Sequence, residues 1–163
     1  MLIHESDFLI ITKIFTEDMS EKEYDNKMHT AEHILNSVMN RMFGCGRSFR
    51  SHIEKKKSKC DYKLSGPLND SDLKLVEAAV NEIIGLDIEL TEEFVSRSEA
   101  EAHYFTGKLP ADAGDRIRIV KIGDYDACPC IGPHVKTTSE VGSFVITSAD
   151  WNENILRIRF KLQ

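Results

Sequence analysis

With 163 residues, 41% hydrophobic and 29% charged, the chain has the size and composition of one soluble globular domain. No apolar run approaches the roughly 18 residues of a membrane span, and Met1-Leu2-Ile3-His4-Glu5-Ser6-Asp7 lacks the basic start and apolar core of a secretory signal, so the expected location is cytoplasmic, away from membranes. The net charge of −6 argues against a protein that coats nucleic acid, yet residues 41–63 hold eight Lys and Arg against Glu54 and Asp61. Arg47, Arg50, Lys55, Lys56, Lys57 and Lys59 can thus grip the end of a polyanion or form a solvated lysine turn.

In chain order, residues 8–15 are β-branched and aromatic, which predicts a strand, and residues 16–27 are polar and predict a loop. Asp25 or Asn26 can cap a helix whose apolar stripe is Ile34, Leu35, Val38, Met39 and Met42, ending at Gly44-Cys45-Gly46. A hairpin follows, from 48–54 and 59–64 around the lysine turn. After Ser65-Gly66-Pro67, capping residues Asn69, Asp70 and Ser71 open a second helix with the stripe Leu73, Val76, Ala79, Val80, Ile83 and Ile84. A strand starts at Ile88-Glu89-Leu90, a short helix spans 96–104, and 105–114 reads as loop. Residues 116–122 alternate charged and apolar types, a half-buried strand. Pro129 and Pro133 keep 130–134 out of a helix, and 142–148 with 154–162 predict a closing hairpin turned at Asp150-Trp151-Asn152. The expected architecture is α+β, one domain over 1–163, with helices on a largely antiparallel sheet.

The chemistry concentrates in two motifs. On the first helix His29 and His33 stand four apart, so both imidazoles aim at one point. Cys130 and His134 repeat the spacing a hundred residues later. Either pair alone is common by chance; together they supply three imidazoles and a thiolate, a four-ligand inventory for Zn2+. A His-Glu-x-x-His protease is excluded, because Glu32 precedes the second histidine instead of following the first. Cys45 and Cys60 read as ordinary thiols. Cys128 is a reserve ligand or a small buried side chain.

His29-Thr30-Ala31-Glu32-His33-Ile34-Leu35, together with Ile122-Gly123-Asp124-Tyr125-Asp126-Ala127-Cys128-Pro129-Cys130-Ile131-Gly132-Pro133-His134, resembles the editing domain shared by alanyl- and threonyl-tRNA synthetases and the freestanding alanyl-tRNA editing proteins. The resemblance implies that His29, His33, Cys130 and His134 hold zinc and that the domain hydrolyses mischarged aminoacyl-tRNA, with serine on alanine tRNA as the leading substrate. Two segments depart from the pattern. Ile131-Gly132-Pro133 replaces the alanyl Gly-Gly-Thr and ends in the threonyl Gly-Pro-His, and Ser48-Phe49-Arg50-Ser51-His52 stands where Gln-x-Gly-Ser is usual.

Beside the ligands, Thr30 is turned about 100° from His29 and is expected on the rim, where its hydroxyl would bond a misplaced serine. Glu32 orients water or accepts a proton, or is a solvated helix residue. Asp126 bonds the outer nitrogen of a ligand histidine, or is a turn acid. A metal-activated water is the simplest attacking group, though a closed four-ligand set is normally structural. Two alternatives follow: a deacylase for serine on threonine tRNA, or a zinc-bearing module that binds tRNA or a synthetase without chemistry.

Overall fold

The computed structural model describes residues 25–163. The predicted strand at 8–15 and most of the loop after it lie outside these residues. The described elements are α1 (Asn26–Phe43), β1 (Arg50–His52), β2 (Ser58–Lys63), α2 (Asp70–Gly85), β3 (Leu90–Ser96), α3 (Arg97–His103), β4 (Arg116–Ile122), β5 (Asp126–Pro129), a 3-10 turn (Thr138–Val141), β6 (Phe144–Asn152) and β7 (Ile155–Leu162).

The strands form two antiparallel sheets, ordered β1-β2-β7-β6 and β3-β4-β5. On β2 and β7 the residues Cys60, Tyr62, Leu156, Ile158 and Phe160 alternate with polar ones, so one face is apolar. That face packs with Met28, Leu35 and Met39 of α1 and Val76, Val80 and Ile84 of α2 into the main core. A smaller cluster joins Ala100 of α3 to Ile117 and Ile119 of β4. The architecture is α+β, as the residue pattern predicts.

Helix α1 starts where the Asp25 carboxylate accepts from the amides of Lys27 and Met28, both at 3.0 Å. It stops at Gly44, whose φ of 63° suits a residue without a Cβ. Residues 28–39 are buried on every side. A single apolar stripe does not explain this: one side of α1 meets the core, and the polar side carrying His29, Glu32, His33 and Asn36 is covered as well. The chain 122–126 is tied to this helix by Ser37, which donates to the carbonyl of Tyr125, and by Arg41, which donates to that of Asp124 at 2.6 Å.

Boundaries differ from expectation in the last hairpin. Asp150, Trp151 and Asn152 lie within β6, and the chain reverses at Glu153 and Asn154, with φ of 48° and 64°. Two left-handed residues match the twist of a tight hairpin. Strand β5 and the 3-10 turn stand at segments for which no element was expected.

Candidate metal centre and its cavity

His29 and His33 project from the first half of α1, and the loop after β5 folds back over the helix to bring Cys130 and His134 to them. One ligand atom from each of the four residues lies within 4.8 Å of the others. The His29 and His134 rings stack with centroids 4.1 Å apart, and His33 meets both edge-on at 5.0 and 4.4 Å. Cys130 Sγ is 3.3 Å from His29 Nε2.

Contacts outside the cluster orient each imidazole. His29 Nδ1 donates to the carbonyl of Pro133 at 3.0 Å. Thr30 Oγ1 gives its proton to Asn26 O at 2.8 Å, so it accepts from His134 Nδ1 at 3.0 Å. His33 Nδ1 lies 3.3 Å from Asp126 Oδ2, at ion-pair distance though off the hydrogen-bonding line. Each Nδ1 is thus directed to an oxygen, which leaves Nε2 as the lone-pair side of the ring. His134 Nε2 is buried without a hydrogen-bond partner, as expected of an atom reserved for a cation.

At Cys130 and His134 the electrostatics agree with a cation-binding donor set, while His33 has to shed a proton to join it. Burial would raise the Cys130 thiol, but bonds from His134, His29 and His33 hold it down to about 3. Burial lowers the His134 imidazole, and neighbouring His33 and His29 add to that, so it stays neutral. Burial also works against a charged His33, but Asp126 and Cys130 raise it to about 9. Cys128 stands outside the cluster, and burial pushes its thiol up to about 12, which leaves it an inert side chain. The four residues can hold a metal ion.

Gly132 is required by this arrangement. A Cβ there would lie 2.5 Å from His29 Cε1 and 2.8 Å from its Nδ1, so any side chain would push into the ring. Arg118 of β4 donates to the carbonyls of Gly132 (2.8 Å) and Cys130 (3.2 Å) and holds the loop at that closeness.

The cluster opens on a cavity of about 680 Å³, lined on one side by 49–53, on another by Phe105 and 108–110, and on a third by 128–132. Glu32 lies on the cavity wall. It is 7% exposed, which removes the solvated-helix alternative. Its Oε1 accepts from Ser51 Oγ at 2.8 Å, Asn36 Nδ2 at 3.3 Å and Lys108 Nζ at 3.5 Å, while Oε2 is 4.0 Å from His29 Nε2. Burial would raise this carboxyl, but His33, Lys108, Ser51 and His29 hold it down to about 2, so it is a carboxylate at neutral pH. Behind it, Asn36 Oδ1 accepts from Tyr62 Oη at 2.8 Å and the Ser48 amide at 3.0 Å.

Several predicted positions are relocated. Thr30 is 0% exposed and faces His134, not the rim, because the returning loop covers that side of α1. Arg47, expected to meet a polyanion, is turned inward with 14% of its side chain exposed and pairs with Asp126. Burying the acid beside His33 calls for a cation, and Arg47 supplies one. Arg50, Lys55, Lys56 and Lys57 are exposed, and Lys59 is half-buried. Lys108, Ser51, Asn36 and Arg118 carry no motif that could have marked them, since only the tertiary fold brings them to the His–Cys cluster.

Residues 117–159 match the family described as the threonyl and alanyl tRNA synthetase second additional domain. Over 146 residues the chain is 32% identical to the alanyl-tRNA editing protein AlaX-L of Pyrococcus horikoshii, covering 86% of this chain and 34% of that protein. It is 29% identical over 139 residues to the alanine–tRNA ligase of Aeropyrum pernix, with 81% and 15% covered. For that of Fervidobacterium nodosum the identity is 31% over 132 residues, with 80% and 15% covered. The chain thus spans about a third of the length of the editing protein and about a seventh of the ligases. Residues 117–159 thus match the second additional domain of threonyl and alanyl tRNA synthetases, and most of the chain is similar to part of an alanyl-tRNA editing protein.

Proposed function

We propose that this chain hydrolyses the ester joining a wrong amino acid to the acceptor end of tRNA, with serine on alanine tRNA as the preferred substrate. Zinc is the proposed metal, held by His29, His33, Cys130 and His134. The observation that carries the reading is the orientation of three imidazoles by Pro133, Asp126 and Thr30 around one thiolate, on the wall of a cavity. Three nitrogens and a thiolate suit zinc in tetrahedral geometry.

Zinc, when bound, supplies a Lewis acid that polarises a carbonyl or lowers the pKa of a water. The chain's own residues do the rest. Glu32 presents a carboxylate to the cavity, able to accept a proton from water or to bind the substrate's α-ammonium group. Ser51 and Lys108 fix that carboxylate in place, and Ser51 adds a hydroxyl to the same wall. A site that hydrogen-bonds a substrate hydroxyl rejects the analogue lacking it, which is the basis for preferring serine over alanine. With Thr30 committed to His134, this contact falls to the Ser51–Glu32 wall.

Serine on threonine tRNA is the second reading, favoured by Gly132-Pro133-His134. Incubation with seryl and alanyl esters of both tRNAs, with and without chelator, separates the two. Faster loss of serine from alanine tRNA, abolished by chelator, is expected; binding without hydrolysis of any ester would leave a non-catalytic module.

A further inference from the structure

The β1-β2-β7-β6 sheet has a second face, opposite to the one that meets α1 and α2. Strand alternation and pairing register send Arg50, Lys59, Lys63, Arg157, Arg159 and Lys161 to that face. Within the paired strands the acids beside them are Asp61 and Asp150. Both are already taken: Asp61 accepts from Arg157 at 2.7 and 2.8 Å, and Asp150 from Arg159. An excess of positive charge therefore collects on one face of the sheet in a chain whose net charge is −6. Cations two apart on β7 stand about 7 Å from one another, the spacing of a strand. Among the described residues no helix packs on this face.

The face is continuous with the cavity. Arg50 and His52 of edge strand β1 line its mouth, as does Phe49. The Phe49 ring has the guanidinium of Arg50 5.6 Å from its centre and the ammonium of Lys63 5.8 Å away. A partly exposed ring with two cations near it suits a nucleobase whose neighbouring phosphates meet those cations.

We infer that the outer face of the four-stranded sheet, through Lys63, Arg157, Arg159 and Lys161, docks the phosphate backbone of an RNA stem whose single-stranded end crosses Phe49 into the cavity. The inference rests on the proposed hydrolysis of an RNA ester. It assigns the grip mainly to β2 and β7 and leaves the 55–57 lysine turn at its margin. Arg157 and Arg159 keep donors for phosphate while paired, since a guanidinium has five N–H groups.

The test uses the full chain and uncharged alanine tRNA, with affinity measured over a range of salt concentrations. Lys63→Glu/Lys161→Glu reverses two charges on the face without touching a buried pair. Lys74→Glu/Lys136→Glu makes the same net change at exposed positions outside it. The sheet variant should bind at least tenfold more weakly, with the salt slope reduced by about two, while the control stays near wild type. Both variants should hydrolyse a seryl ester of the 3′-terminal nucleoside alone, too small to reach Phe49 or the sheet, as wild type does. Equal weakening by both variants, or an unchanged slope in the sheet variant, overturns the inference. So does tight, salt-insensitive binding by wild type. A changed oligomeric state with unchanged RNA affinity would give the face to a second copy and overturn it too. Failure of wild type to cleave the short ester strikes the hydrolase reading instead, and the binding comparison still decides the docking face.

Discussion

Thr30 Oγ1 sits 3.0 Å from Nδ1 of His134 and spends its own proton on the Asn26 carbonyl at 2.8 Å. The hydroxyl adjoining His29 in sequence is therefore the support of His134. Thr30→Val keeps the shape and removes the acceptor. It should weaken zinc binding by about 10- to 100-fold, the usual cost of losing a ligand's outer partner. Competition with a chromogenic chelator measures this; unchanged zinc affinity with altered serine preference would return Thr30 to the substrate.

The ligand assignment separates two neighbouring cysteines. Protein prepared with zinc should hold about one ion per chain by elemental analysis. Cys130→Ala should lose most of it and Cys128→Ala little, because only Cys130 lies within the cluster and is held as a thiolate. The opposite order would move the fourth ligand to Cys128. Gly132→Ala should also lower zinc affinity, since the new Cβ displaces the His29 ring.

Glu32 and Lys108 are tested as a pair. Glu32→Gln keeps an acceptor for Ser51 but removes the charge, and should cut kcat by about 100-fold, the range for one acid–base group, with tRNA affinity retained. Lys108→Met should show the smaller loss, partly recovered by Lys108→Arg, because a guanidinium can still reach Ser51 and Glu32. Normal kcat in Glu32→Gln would remove the carboxylate from the chemistry.

Asp61 couples stability to acid. The Arg157 hydrogen bonds outweigh burial and lower its pKa below the ordinary 3.8. A depressed carboxylate stabilises the fold above its unfolded pKa, and that contribution is lost as pH falls through the folded value. Asp61→Asn should therefore destabilise by about 1 to 3 kcal/mol near neutral pH. The gap to wild type, followed by denaturant unfolding, should hold down to about pH 5 and narrow below about pH 4. A gap that widens in acid would contradict this sign.

The residue pattern alone determined much of this molecule, because helix periodicity, capping and strand alternation are local properties. Asp25 and Gly44 bound α1, Asn69 opens α2, and 116–122 is the strand expected. His29 and His33 were legible as a facing pair for the same reason, since i, i+4 spacing is a rule of helix geometry. Cys130 and His134, on a loop, were legible only by residue type, and the fold brings the four together. Tertiary structure decided what surrounds them. Arg47 is spent on Asp126, 79 residues away, because β5 carries that acid under His33. Glu32 became a buried carboxylate when β1 and the loop bearing Lys108, 76 residues on, closed over α1. Register decided the rest, since a strand's outward residues form one charged face only after β2 and β7 are placed side by side. No local pattern encodes such pairings, because burial and charge compensation depend on which distant segments meet.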